Sequence, residues 1–351
     1  MLGRLIILSI ILSATLGLIA QNWLQNAETR VVTNLPYNVT VVNGISMRGF
    51  ADQLVNEGLL EEKWSFLFWA RYRNLSSSLK AGEYKIPANA TMNDLLHLVT
   101  SGQVIDYPVT FIEGWNFKQL REALAKQKNL TQTIGKMNDE AIMKAIGAEG
   151  QYPEGRFYPD TYHYTANMTD LDILRQAYGK MERLLSYEWG KRAPDLPLKN
   201  KSEALTLASI IEKETGTEIE RPLIAGVFIN RLRKGILLQT DPTVIYGMGD
   251  SYNGNIRRKD LRKDTPYNTY TRTGLPPTPI AMPGGKAIKA ALHPAPTDAL
   301  YFVAKGDGTH YFSSSLREHN NAVNKYQINR RKNYSSSKPL QTNKREGRAS
   351  E

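Results

Sequence analysis

From Leu5 to Ala20 the chain carries no charged residue, LIILSIILSATLGLIA, and that run decides where everything after it must fold. About 20 predominantly apolar residues cross a bilayer core, so the segment is long enough to span one. A secretory signal would instead end in a small-x-small cleavage site, and Ala20 has Leu18 two places before it. The segment is therefore expected to be an uncleaved anchor over residues 1–25. The amino terminus and Arg4 precede it, while Glu28 and Arg30 cancel behind it. The positive-inside bias then leaves the N-terminus in the cytoplasm and puts the rest of the chain outside.

Composition narrows what the exported part can be. The whole chain has 351 residues, 41% of them hydrophobic, enough to bury the cores of about two domains. It has no cysteine, which removes thiolate nucleophiles, thiolate metal sites and disulfides together. The five histidines show no H-x3-H spacing, so neither a metal nor another cofactor is expected. The net charge is +11, and residues 329–351, rich in Lys and Arg with little apolar content, carry part of it. A nucleic-acid binder can look like this. For a chain held at the outer face of a membrane, an anionic polymer or a lipid headgroup is the better counterpart, and no nucleic-acid partner is expected. The tail, 332–351, reads as disordered.

Taken in order, residues 26–38 read as a polar linker. Val39–Val42 is an extended run turned by Asn43-Gly44, and Ser46 can cap a helix burying Phe50, Leu54 and Val55. Trp64, Phe66, Phe68, Trp69 and Tyr72 mark an aromatic helix, read mainly as core. After an extended Glu83–Ile86, Thr91 and Asp94 form a T-x-x-D capping box for a helix stopping at Gly102. This strand, helix, helix, strand, helix module occupies 39–103. The remainder, 104–331, is larger. It includes an acidic glycine turn, PEGRFY, around Glu154, and a long helix capped by Thr169. A helix opening near Pro222 places Arg231 on its apolar stripe, where Glu212 and Asp241 are the candidate partners. Polar Pro-Gly loops follow from Leu238, then a hairpin joins Leu300–Ala304 to His310–Phe312, and a last helix starts near Leu316. The fold class is α+β throughout: an N-terminal transmembrane helix, a small α+β module and a larger mixed α+β domain.

The most informative stretch of the larger part is Ser202–Gly216, SEALTLASIIEKETG, about three helical turns with Ser202 as N-cap and Gly216 just past the end. At 100° per residue, Leu207, Ile210, Ile211 and Glu214 share one stripe, while Glu212 points the other way beside Leu205 and Ala208. Burial disfavours the charged form of a lone carboxyl, so Glu214 can keep a proton near neutrality and act as a general acid. The alternative is a solvated glutamate at a frayed helix end.

Together these residues resemble the YceG-like endolytic murein transglycosylases. The resemblance rests on Leu207–Thr215 (LASIIEKET), Val227–Arg233 (VFINRLR), Leu238–Gly249 (LQTDPTVIYGMG), Tyr267–Pro277 (YNTYTRTGLPP) and Glu154–Tyr162 (EGRFYPDTY). It covers the chain from about Val39 to Ile328, and the tail lies outside it. It implies that Glu214, the second acid of E-K-E-T, is catalytic. It implies too that 39–103 is a LysM-like subdomain and 104–331 a catalytic domain on the outer face of the plasma (inner) membrane. The implied reaction cleaves the MurNAc–GlcNAc bond in nascent glycan strands, leaves 1,6-anhydro-MurNAc ends and terminates strand elongation. Peptidoglycan strands are the implied substrate and cell-wall synthases the implied partners. Gln239, Asp241, Asn268 and Tyr270 are the candidate substrate-binding residues, with Glu212, Arg231 and Glu154 in supporting roles. A muramidase using a second carboxylate among Glu154, Asp160 and Asp241 stays open, as does a non-catalytic wall-binding anchor.

Overall fold

The computed structural model describes residues 28–328 and scattered positions from Ile11 to Gln25. The expected anchor falls mostly, and the basic tail wholly, outside the described residues. Among the described residues no helix is long and apolar enough to cross a membrane. The described residues form two compact units: one of those up to Val109 together with 124–136 and 161–173, the other of 110–123, 137–160 and those from Leu174 onward.

In the first unit the organising element is an antiparallel pair, β2 (Tyr37–Val41) with β3 (Gly82–Ile86), in which Val39 lies opposite Tyr84. Alternation turns Val39, Val41, Tyr84 and Ile86 inward, each at most 1% exposed. Helices α1 (Met47–Asn56), α2 (Lys63–Tyr72) and α3 (Met92–Ser101) add Phe50, Leu54, Phe66, Trp69 and Leu95 to one core. Burying each such side chain contributes roughly 1.5–3 kcal/mol. The caps form as the sequence indicates. Ser46 Oγ accepts from Gly49 N at 3.1 Å, Thr91 and Asp94 close a capping box, and Gly102 ends α3 at φ +81°. Two readings need correction. The linker contains a short strand, β1 (Val31–Thr33), paired with β4 (Ala90–Thr91); three residues are too few to show a period of two. The aromatic helix is only half core, since Phe66 and Trp69 are buried while Trp64, Phe68 and Tyr72 are exposed. Strands β5 (Tyr107–Thr110) and β6 (Thr161–Tyr164) pair with each other further on.

The second unit is helical. It holds most of α4 (Phe117–Ala125) and of α6 (Asp170–Gly190), and all of α5 (Asp139–Ala145), α7 (Lys201–Glu214), α8 (Arg221–Arg233), α9 (Asp241–Met248), α10 (Arg258–Arg262), α11 (Gly285–Leu292) and α12 (Leu316–Val323), with a β7 (Tyr301–Ala304) to β8 (His310–Ser313) hairpin. Helix α7 is its centre. Every residue from Ala204 to Ile211 is buried, so this part of the helix is covered on all sides, not on one stripe. It packs against α11, α8 and α9. Ala204, Ala208, Ala287 and Ala291 keep the interfaces thin enough for close approach. Its N-cap is Asn200, whose side chain accepts from Glu203 N at 2.9 Å, and Ser202 lies inside the first turn. The helix stops at Glu214 because Thr215 is extended (φ −143°, ψ 136°); Gly216 takes no left-handed conformation there.

The loop-rich stretch after Leu238 also holds more helix than its composition suggests. Helix α9 starts at Asp241-Pro242, a favourable first turn, and then runs through β-branched Thr243, Val244 and Ile245, which have modest helix propensity. Burial of Thr243 and Val244 overrides that local preference. The PEGRFY turn is tighter than any side chain allows. Gly155 sits at φ +78°, and a Cβ there would meet Pro279 Cβ at 2.4 Å. Gly155→Ala is expected to cost roughly 3 kcal/mol, from left-handed strain plus overpacking, read as a fall in the denaturation midpoint.

Candidate active site

Glu214 is the last residue of α7, and its carboxyl meets the start of α9. Thr240, the N-cap position of α9, donates its hydroxyl to Glu214 Oε1. A small threonine lattice holds Thr240 in place: Thr240 N donates to Thr269 Oγ1 at 3.1 Å, and Thr243 Oγ1 lies 2.8 Å from Thr240 O and 2.9 Å from Thr269 Oγ1. Among the described residues, none hydrogen-bonds to Glu214 Oε2. One oxygen is thus fixed and the other is available.

Burial pushes the Glu214 carboxyl up to about 7, and the neighbouring Asp241 charge pushes the same way, against the Thr240 hydrogen bond. That is the condition for a general acid near neutrality. Asp241 Oδ1 accepts from Tyr270 OH at 2.6 Å. Burial raises the Tyr270 phenol far above its usual range, and this bond to Asp241 adds to the effect, so Tyr270 is a fixed donor. Four of the residues singled out in the sequence, Glu214, Gln239, Asp241 and Tyr270, therefore belong to one neighbourhood.

Asn268 does not face outward. It is 1% exposed, its Nδ2 donates to Asp260 O, Leu261 O and Lys263 O (3.3, 3.1 and 2.7 Å), and its Oδ1 accepts from Tyr270 N at 2.8 Å. It is a clamp that sets the Tyr270 loop rather than a groove residue. Arg231 also departs from expectation, since neither Glu212 nor Asp241 pairs with it. Its Nε donates to Leu300 O at 2.6 Å, and its Nη1 to Leu237 O, Leu238 O and Gln239 Oε1 at 2.7, 3.2 and 3.2 Å. The guanidinium lies 4.9 Å from the Tyr301 ring centre. Carbonyl dipoles, not a carboxylate, offset this buried cation. Gln239, held at φ +52°, presents its amide to Arg231.

Glu212 lies apart from Glu214, as helical geometry requires. Its Oε1 accepts from Arg221 Nη2 at 2.9 Å and its Oε2 from Gly284 N at 2.9 Å. Glu154, 4% exposed, accepts from Phe117 N at 3.1 and 3.2 Å and from Tyr246 OH at 3.1 Å. Burial raises its carboxyl to about 7 despite those donors. Glu154 borders a cleft of about 720 Å³, together with Tyr152, Lys213, Pro242, Tyr246 and Tyr267. Asp160 is paired with Lys180. Sequence reasoning missed Thr240 and the cleft. The T-D-P run at the head of α9 was the available signal, because Thr with Pro two residues further on, in the first turn, marks a helix start.

The fold and this neighbourhood define a class. Residues 39–325 match the YceG-like family, and the chain belongs to that family. An endolytic murein transglycosylase of Bacillus subtilis is 33% identical over 309 residues, which are 82% of this chain and 84% of the relative. An enzyme of the same name from Streptococcus pneumoniae is 28% identical over 81% of this chain, a match spanning 57% of that longer relative. The crystal structure of a yceG-like protein from Listeria monocytogenes superposes with a TM-score of 0.52 at 29% identity, covering 82% of this chain and 98% of that one.

Proposed function

We propose that this chain is an endolytic murein transglycosylase with Glu214 as its single acid–base group. The observation that carries the reading is a carboxyl raised to about 7, with one oxygen held by Thr240 and the other free. Protonated Glu214 gives its proton to the glycosidic oxygen leaving C1 of N-acetylmuramic acid. The resulting carboxylate takes the proton of that sugar's C6 hydroxyl as O6 bonds to C1. The C1–O bond to the leaving sugar breaks, the 1,6-anhydro ring closes, Glu214 is protonated again, and no water is consumed. The similarity to relatives named for this activity supports the reading. We further propose that residues 1–25 anchor the chain in the plasma membrane, that 39–103 is the LysM-like subdomain and 104–331 the catalytic domain, and that cleavage terminates strands as synthases extend them.

Mass spectrometry of digested uncrosslinked strands tests the chemistry. Ends lighter than hydrolytic ends by one water are expected. Reducing ends would replace this mechanism with a muramidase, for which Asp241 is the carboxylate nearest at hand. Bound but uncut strands would leave a wall-binding protein. A pH dependence follows as well. The acid must be protonated to start the reaction, so kcat is expected to fall about tenfold per unit as pH rises beyond about 7.

A further inference from the structure

The cleft bordered by Glu154 reaches residues adjacent in the chain to the proposed catalytic acid. Lys213 and Pro242 line it. They are the chain neighbours of Glu214 and Asp241, and successive Cα atoms are only about 3.8 Å apart. Its charged groups are nearly all engaged. Lys118 pairs with Asp250 at 2.7 Å and Arg121 with Asp139 at 3.0 Å. Glu154 accepts from one backbone N–H, that of Phe117, and one phenol, that of Tyr246, and Glu122 lies exposed on α4. Lys213 differs from all of them. Among the described residues no carboxylate lies within ion-pair distance of it, and its Nζ makes one long bond, 3.3 Å to Gly114 O. Lys213 is exposed to solvent, so its ammonium is accessible from the cleft; desolvation by the protein around it holds that ammonium below the usual range, although Glu212 and Glu154 pull it upward. An accessible ammonium in a concave, tyrosine-walled cleft, with no carboxylate at ion-pair distance among the described residues, is placed to receive one.

The sugar whose C1 reacts supplies such a group close by. Muramic acid bears at O3 a lactyl arm that ends either in a free carboxylate or in an amide to a peptide stem with carboxylates of its own. We propose that Lys213 is a specificity-determining residue, its ammonium binding, in this cleft, a carboxylate carried on the muramyl lactyl arm. The proposal rests on the transglycosylase reading for the placement of the muramyl residue at Glu214. The tyrosine rings of the walls, among them Tyr246 and Tyr267 with centres 4.9 Å apart, offer the arm apolar faces.

The test uses the full chain carrying Glu214→Gln, so that strands bind without turnover, with and without Lys213→Gln or Lys213→Arg. Three strand preparations serve as probes: stem-bearing strands, strands stripped of stems to expose the lactyl carboxylate, and stripped strands whose lactyl carboxylates are capped as neutral methylamides. Lys213→Gln is expected to weaken binding about tenfold or more wherever the recognised carboxylate is present, with Lys213→Arg recovering most of it. It should leave binding to the capped strands unchanged. A loss confined to stripped strands assigns the lactyl carboxylate itself, and one confined to stem-bearing strands assigns a carboxylate of the stem. Equal loss on all three preparations, or none on any, overturns the proposal. Turnover by the unsubstituted chain is scored separately. Absence of 1,6-anhydro ends would defeat the transglycosylase reading, while the binding contrast still decides the role of Lys213.

Discussion

Glu214→Gln is expected to keep the fold and to lower kcat by about 10²–10⁴-fold, with KM nearly unchanged. Glutamine preserves the shape and can still accept the Thr240 hydroxyl bond, but it has no proton to deliver or recover. Because one group serves both steps of the proposed reaction, the loss should lie near the upper end of that range. Stability should move the other way at neutral pH. The folded carboxyl titrates near 7 against an ordinary value of 4.5, so between those values the unfolded chain sheds a proton that the folded chain keeps. Native stability therefore falls as pH rises from about 4.5 to 7 and levels off above it. The glutamine variant lacks that slope and should gain relative to the parent above pH 7, as a pair of melting curves at pH 5 and pH 8 would show. Full activity in Glu214→Gln would end the mechanism.

The neighbours of Glu214 act on its proton with opposite sign, and that separates their roles. Asp241 raises the carboxyl, so Asp241→Asn should move the alkaline limb of the pH–rate profile toward acid. The Thr240 hydroxyl stabilises the carboxylate, so Thr240→Val should move the same limb toward alkali. A purely structural role for either residue would change the height of the profile and leave its position alone.

The parts of this site that the sequence revealed are those written into local periodicity. The position of Glu214 at the end of an apolar helix, and its separation from Glu212, follow from 100° per residue and were readable from fifteen letters. The capping box of Thr91 and Asp94 and the hairpin after Leu300 were equally local. Partner choice was not. Arg231 sits on a stripe facing Glu212 and Asp241 in one dimension, yet the carbonyls that receive it belong to Leu237, Leu238 and Leu300. A backbone acceptor has no side-chain identity to read. Asn268 illustrates the same limit: its loop composition suggests a polar groove, but only the folded chain shows three carbonyls converging on its amide. Helix α11 was overlooked because GKAIKAAL lacks a side-chain cap and is too short to show a full apolar period.

Arg221→Ala is expected to destabilise the second unit by about 3–5 kcal/mol, because it strands the Glu212 charge where both side chains are buried. Those side chains are only 7% and 6% exposed for Arg221 and Glu212. For a unit of this size the melting temperature should fall by roughly 10 °C. Burial already raises the Glu212 carboxyl, opposed chiefly by Gly284 N and by the Arg221 charge, so loss of the arginine should drive it further toward the neutral form. That gives a second signature: the destabilisation should shrink as pH is lowered and Glu212 takes up a proton. Replacing both partners, Glu212→Gln with Arg221→Met, leaves no buried charge and should recover most of the melting temperature. The pair also bears on catalysis. Glu212 ties the last turn of α7 to the loop before α11 through Gly284 N, two residues before the proposed acid. The double variant should therefore fold well and still turn over more slowly than the parent, since its glutamine holds that turn less firmly. Arg221→Ala with an unchanged melting temperature would show that water, rather than the guanidinium, compensates Glu212, and would remove the pair from the account of how α7 is fixed.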